Sequence, residues 1–268
     1  MELNQRTVAG KSTAEAAAPW FDQFEPVSLD ELDERVSFQR RVDNKYLLAW
    51  DRFAELALPL RESHDALEID GKRLFSYSSV YFDTPDLLCF REHVEGRVPR
   101  FKVRSRAYHE SGVCSFEVKV KVDDDETVKE NLEYELSNHG QITPEARRFL
   151  EEVIASSIGR DAPEELRPAL TTRFRRGTLG ARDGSDRITI DFELRLERPD
   201  HTTVCLDPGH VVVETKSESG EGRFDMIMRE AGHPPISLSK YRLGIGSLAA
   251  HDPDPPLAAQ DDRIVQPC

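Results

Sequence analysis

The strongest constraint in this sequence is a rhythm of two. In "PRFKVRSRAYHESGVCSFEVKVKVDDDETVKENLEYEL", Arg100, Lys102, Arg104 and Arg106 alternate with Phe101, Val103 and Ser105. After a short break, Glu117, Lys119 and Lys121 alternate with Phe116, Val118, Val120 and Val122. Successive side chains of a β-strand point to opposite faces, so each stretch reads as a strand with one charged and one apolar face. A single strand of this kind is ordinarily half of an antiparallel sheet with one face in water. Neighbouring rows of one sign are another matter, because like charges on adjacent strands repel. A cationic row beside Lys119 and Lys121 makes a poor plain surface and a good anion site.

The same parity recurs along the chain. Arg41, Asp43 and Lys45 share a face in "RRVDNKY", as do Tyr77, Ser79, Tyr81 and Asp83 further on. Lys129 pairs in parity with Glu133, Arg173 with Arg175, Arg187 with Thr189 and Asp191, and Glu214 with Lys216. The expected fold class is α+β: a closed antiparallel β-barrel whose charged faces line a wet interior, with helices packed outside. Alternate residues on a strand lie roughly 6.6–6.8 Å apart, so an extended phosphate chain would touch several rows at once.

Three segments are expected in the 268 residues: a poorly ordered lead-in over 1–35, a tunnel domain over 36–250 and a disordered Pro- and Asp-rich tail over 251–268. Within the domain, strands are read in "RRVDNKYLLAW", "KRLFSYSSVYFDTPD", "ALTTRFRRGTLGA", "DRITIDFELRLE", "TTVCL" and "HVVVETKS", besides the three between Pro99 and Leu136. Helices are read in "DRFAELALPLRESH", "LLCFREHVEG", "EGRFDMIMREAG" and "SLSKYRLGIGSLAA". The clearest helix is "TPEARRFLEEVIASSIG", with Thr143 as N-cap, Pro144 in the first turn and Gly159 as terminator.

The net charge of −14 discourages a polyanion on the general surface. Nucleic-acid binders are usually basic overall, so no nucleic-acid partner is expected; basic rows inside an acidic chain imply a secluded anion site. Cys89, Cys114, Cys205 and Cys268 form no C-x-x-C pair and suggest neither a zinc site nor a disulfide framework. His64, His93, His139 and His233 are read as surface residues. The sequence has no apolar run of about eighteen residues, the length of a membrane helix, and no charged-then-apolar N-terminal leader. A cytoplasmic protein is expected, with a membrane-associated partner and any oligomeric state left open.

At these residues the sequence resembles a known family. "RVDNKY", "YFDTPD", "RFKVRSR", "FEVKVK", "TRFRR", "RITIDFEL", "VVVETK" and "LSKYRLG" occur in the order seen in the VTC domain of vacuolar transporter chaperone polyphosphate polymerases, within the triphosphate tunnel metalloenzymes. The resemblance runs from about Arg40 to Leu248 and implies a tunnel, a nucleoside triphosphate such as ATP as donor, and Mn²⁺ or Mg²⁺. By position it implies a phosphate-binding lining of Lys45, Arg100, Lys102, Arg104, Arg106, Lys119, Lys121, Arg173, Arg175, Arg187, Lys216 and Lys240. Of these, Lys45, Arg104, Arg106, Lys119 and Lys240 are implied in the transfer itself. Glu214 is implied as the metal ligand, with Asp191 and Glu117 as secondary candidates. Adenylyl cyclase and thiamine triphosphatase relatives open with Glu-x-Glu-x-Lys; this chain has Arg41 and Asp43 before Lys45, which favours the polymerase-like branch.

Phosphoryl transfer demands positioning and cancellation of oxygen charge more than an activated nucleophile. The expected activity is transfer of the γ-phosphoryl of ATP onto a polyphosphate chain. A metal-dependent tri(poly)phosphatase or nucleoside triphosphatase, and a non-catalytic polyphosphate-binding module, are the alternatives.

Overall fold

The computed structural model describes residues 12–36, 42–123, 126–249 and 264–268. Its helices are α1 (Thr13–Phe21), α2 (Leu29–Arg35), α3 (Trp50–Ala57), α4 (Leu88–Val94), α5 (Pro144–Ile158), α6 (Arg223–Glu230) and α7 (Lys240–Ala249). The first strands are β1 (Glu25–Val27), β2 (Val42–Ala49), β3 (His64–Leu67), β4 (Phe75–Asp83), β5 (Arg100–Tyr108), β6 (Val113–Lys121) and β7 (Thr127–Tyr134). They are followed by β8 (Arg167–Ala181), β9 (Asp186–Glu197), β10 (Thr203–Leu206), β11 (His210–Ser217) and β12 (Val265–Pro267). The α+β class is as expected, and the strands and helices read between Val42 and Ala249 are present with ends moved by a few residues.

Hydrogen-bonded neighbours run β12-β10-β9-β8-β4-β5-β6-β7, with β11 also on β9 and β2, and β3 also on β8 and β1. The ladders are antiparallel except for the short parallel β1–β3 pair. Closure is where the expectation fails: among the described residues no ladder joins the two ends of this order, so the sheet is open. β7 explains one end. Lys129, Glu130 and Glu133 are exposed and occupy both of its faces, and a charged edge strand does not template another partner. At the other end β12 is only 3 residues long.

The chain divides into two compact units. One takes residues up to Leu74, Arg175–Glu193 and Pro208–Ile236; the other takes Phe75–Phe174, Leu194–Asp207 and Ser237 onward. In the first, β2, β11 and the start of β9 carry Tyr46, Leu48, Ile188, Ile190, Phe192, Val211 and Val213 into a buried core with Phe53 of α3 and Phe224 of α6. The supposed lead-in belongs to this core from Thr13 onward. Ser12 and Ser28 each close a capping box, with Glu15 and Glu31, over α1 and α2. Trp20 packs on Phe21, Phe24, Trp50 and Phe53 with ring centroids 4.7–5.6 Å apart. Three aromatics in an Ala-rich segment suffice to anchor it; residues 1–11 lie outside the described residues.

In the second unit, β5 alternates perfectly: its charged residues are partly exposed, while Phe101, Val103, Ser105 and Ala107 are buried. Phe116, Val118 and Val120 of β6 continue the apolar face, and α4 and α5 cover it. Cys114 and Cys89 are buried free thiols. The other two cysteines correct the sequence reading: Cys205 and Cys268, 63 residues apart, form a disulfide. It joins the same two strands that β10 and β12 pair through Val204–Pro267 and Leu206–Val265. Neither spacing nor context in the sequence marks this pair. Of the expected disordered tail, residues 251–263 lie outside the described residues, whereas Val265–Pro267 is a strand.

Gly177 of β8 exists for the sake of Phe21: a Cβ there would run into the Phe21 ring. Gly177→Ala should therefore destabilise by about 1–3 kcal/mol through overpacking. A urea titration should register this as a lower midpoint with an unchanged slope.

Candidate functional site

The β5–β6 register turns two patterned strands into a two-column array. Arg100 faces Lys121, Lys102 faces Lys119, Arg104 faces Glu117 and Arg106 faces Ser115. On the far side of β6, Lys119 meets Lys129; on the far side of β5, Arg104 meets Tyr81 and Arg106 meets Ser79 of β4.

One carboxylate organises the lower half of this array. Glu117, 3% exposed, accepts on Oε2 from Arg104 Nε at 2.8 Å and Nη2 at 2.5 Å. Lys129 Nζ stands 3.4 Å from the same oxygen, and Arg106 Nε stands 3.8 Å from Oε1. Burial alone would raise the Glu117 pKa, but Arg104, Arg106 and Lys129 overcome it and hold the carboxyl at about 2. One anion thus faces three cations, and the surplus is positive.

Arg104 is held from its other side as well. Its Nη1 donates to Tyr81 Oη at 2.9 Å, and Tyr81 stacks on Tyr241 of α7 at 5.1 Å and 24°. Tyr241 donates its hydroxyl proton to Asp83. Asp83 is fully buried and accepts the amides of Thr84, Cys89 and Phe90, at 2.7, 2.8 and 3.0 Å, where α4 begins. A continuous chain of contacts therefore fixes the guanidinium relative to two helices. Burial would raise the Tyr81 phenol, but Arg104, Arg106 and Lys240 lower it overall.

Lys102 Nζ hydrogen-bonds Ser239 Oγ at 3.3 Å, the hydroxyl that also receives Arg242 N at 3.4 Å at the start of α7. Loss of water, then Lys119, Arg100, Arg104 and Arg242, push the Lys102 ammonium down to about 7. Burial, then Lys102, Arg100, Arg242 and Lys119, push the neighbouring His93 down to about 3, and its Nδ1 is buried without a hydrogen-bond partner. Lys240 Nζ stands 4.7 Å from the centre of the Phe174 ring, and Arg173 bridges to Glu197 at 2.5 Å. Cations that suppress one another's protonation define a place that an anion would stabilise.

Eight of the twelve expected phosphate residues (Arg100, Lys102, Arg104, Arg106, Lys119, Lys121, Arg173 and Lys240) thus lie in the second unit. The first unit holds Lys45, Arg175, Arg187 and Lys216, together with Glu214 and Asp191. There, Lys45, Glu214 and Thr189 line up across β2, β11 and β9, and Asp43, Lys216 and Arg187 form the next row. Lys216 Nζ is 3.6 Å from Glu214 Oε1, and Arg187 bridges to Asp33 at 2.7 Å. Asp191 is clamped bidentately at 2.6 and 2.8 Å by Arg176, a residue the parity argument passed over in favour of Arg175. Alternation falters there, with Arg175 and Arg176 both partly exposed. Sequence reading also missed Lys129, Arg242, Ser239 and Tyr81 as partners, although "SKYR" and the Tyr77–Asp83 face contain the signal. Contrary to expectation His64 is wholly buried, its Nε2 2.6 Å from Asp186.

The VTC domain family matches residues 40–249, well over half of the sequence. The chain belongs to the VTC domain family. No curated protein matches it. Among solved structures it is similar to a putative adenylyl cyclase from Hippeastrum with a dominant triphosphatase activity, at 15% identity, covering 76% of this chain and 94% of that one, with a TM-score of 0.47. Putative adenylate cyclases from Vibrio parahaemolyticus and Bacillus halodurans give 17% and 12% identity and TM-scores of 0.44 and 0.43. Each covers 75% of this chain, and 95% and 94% of its own.

The VTC class implies a divalent metal. Among the described residues no three His, Cys, Asp or Glu side chains assemble into a cage. Glu214, between Lys45 across the ladder and Lys216 beside it, offers one carboxylate. That suits a hard cation arriving on phosphate oxygens, which asks for one or two carboxylates from the protein. Asp191 and Glu117, both engaged by arginine, suit the orientation of cations.

Glu117→Gln should lower stability at pH 7 by about 2–3 kcal/mol, because buried cations lose their ionised partner. The folded pKa of about 2 lies below the ordinary carboxyl value of 4.5, so the unfolded chain binds the extra proton in that window. The contribution is complete above 4.5 and fades as pH falls toward 2. Denaturation of both forms across this range should show the gap closing.

Proposed function

We propose that this VTC-domain protein is a polyphosphate polymerase-like phosphotransferase. A terminal oxygen of a polyphosphate chain attacks the γ-phosphorus of ATP, the bond to the β-bridging oxygen breaks, and ADP leaves with the electron pair. The observation that carries this reading is the positive surplus of the β5–β6 array, built from arginines already held in place. Fixed guanidiniums grip phosphate oxygens bidentately and lysines act as point charges; transfer needs little more than such positioning.

In this reading Arg104, Arg106, Lys119 and Lys240 of the second unit contact the moving phosphoryl group, and Lys45 of the first is the further residue proposed for the transfer. Arg100, Lys102, Lys121, Arg173, Arg175, Arg187 and Lys216 hold the rest of the phosphate chain. Mn²⁺ or Mg²⁺, when bound, would draw charge off the phosphate oxygens, and Glu214 is the residue to hold it, with Asp191 and Glu117 in support. Glu117 and Tyr81 keep Arg104 aimed. Among the described residues no helix is long and apolar enough to cross a membrane. A supply of ATP argues for a cytoplasmic location; the Cys205–Cys268 bond argues against a strongly reducing one.

Purified protein incubated with ATP and Mn²⁺ should make phosphoanhydride chains that resolve as a ladder on a gel. Orthophosphate alone would turn the reading to a triphosphatase, and binding without turnover to a polyphosphate-binding module. Glu214→Gln should cut turnover by at least about a hundredfold, of the order seen for loss of one electrostatic stabiliser, while triphosphate still binds. Full activity in that variant removes Glu214 from the metal role.

A further inference from the structure

We propose that Lys102 is a site of covalent acylation by acyl phosphates, small anions that join a phosphate group to an activated carbonyl. The argument begins with placement. Lys102 is partly exposed at the middle of the cationic array, opposite Lys119 in register. Arg100 and Arg104 flank it on β5, and Arg242 and the Ser239 hydroxyl face it from α7, the latter at 3.3 Å. Guanidiniums stay charged at any accessible pH and bind phosphate through paired N–H groups. Those around Lys102 therefore hold the phosphate end of such a molecule while its carbonyl lies within reach of the amine.

The second half of the argument is the state of that amine. An ordinary lysine is an ammonium at neutral pH and has no lone pair to offer. The charges that lower Lys102 most are Lys119 on β6, Arg100 and Arg104 on β5, and Arg242 on α7. His93 of α4 is held neutral by burial, then by Lys102, Arg100, Arg242 and Lys119. With its pKa down to about 7, much of Lys102 is free amine at pH 7.5. The lone pair of Nζ attacks the carbonyl carbon, forming the amide C–N bond. The bond from that carbon to the phosphate oxygen breaks, and inorganic phosphate leaves with the electron pair and the amine proton. No further reactant is needed.

Acylation would delete one cation and put a neutral amide where phosphate chains bind. The proposed activity would then fall with the concentration of acyl phosphate. The proposal rests on the phosphate-binding part of the functional reading and not on turnover, so the two are separable by experiment.

The full chain is incubated at pH 7.5 with acetyl phosphate, and lysine acetylation is followed by peptide mass spectrometry, with exposed Lys72 as internal reference. Lys102 should react at least about tenfold faster than Lys72, given the several-unit gap between its pKa and that of an ordinary lysine. Inorganic triphosphate should suppress the reaction, and p-nitrophenyl acetate, which lacks phosphate, should show a smaller preference for Lys102. The proposal is overturned if Lys102 is acetylated no faster than Lys72. It is equally overturned if bound triphosphate gives no protection, or if both reagents prefer Lys102 alike. Calorimetry with triphosphate decides the other question: absence of binding sinks the phosphate reading, and the acetylation rates alone then judge the role of Lys102.

Discussion

The interaction on which this molecule's candidate chemistry depends is the contact of Glu117 with Arg104, Arg106 and Lys129. Like charges at the spacing of adjacent strands repel, and a β5–β6 pair bearing only cations would resist forming. One buried carboxylate relieves that repulsion at the level of Arg104, while at the level of Lys102 burial and neighbouring cations still push the ammonium down. The array is thus stable enough to fold and still attractive to negative charge. Anything that supplies the missing anions binds the folded state preferentially and stabilises it by mass action.

The contrast with the other unit sharpens the point. Its charged rows consist of opposed pairs: Arg176 on Asp191, Arg187 on Asp33 and Lys216 by Glu214. Pairs of that kind satisfy each other and offer little attraction to an incoming polyanion. Under the proposed function, what they offer is a carboxylate for a metal riding on phosphate, and Glu214, 3.6 Å from Lys216, is the one proposed.

How much of this was legible in the sequence follows from which interactions are local. Strand alternation is a local property, so the β5 and β6 rows and their apolar reverse faces could be read directly. Register is not local. That Arg104 would face Glu117, and not Lys119, depends on the length of the 109–112 turn between them. The Arg176–Asp191 clamp was hidden because alternation falters at Arg175, and parity cannot be carried through such a point. Sheet closure and the Cys205–Cys268 bond depend on contacts between segments far apart in sequence. The two N-terminal helices were different: Ser12 with Glu15 and Ser28 with Glu31 are capping boxes in plain sight, outweighed in the reading by an Ala-rich composition.

An acidic chain with a cationic core must also be reconciled with a polyanionic ligand. At −14 overall, the protein repels a polyanion at a distance, so the attraction the proposed function needs acts only at close range. Salt at physiological strength reduces the reach of exposed charges to about 8 Å, which weakens the distant repulsion far more than the direct guanidinium–phosphate contacts. The outer field therefore acts chiefly as a filter on the ligand's net charge. A triphosphate already carrying a divalent cation is less strongly repelled than a bare one. Under the proposed function the same complex would bring the ion for which Glu214 offers one carboxylate. Acidic surface and proposed metal site would then be two sides of one arrangement that admits the metal and the phosphate together.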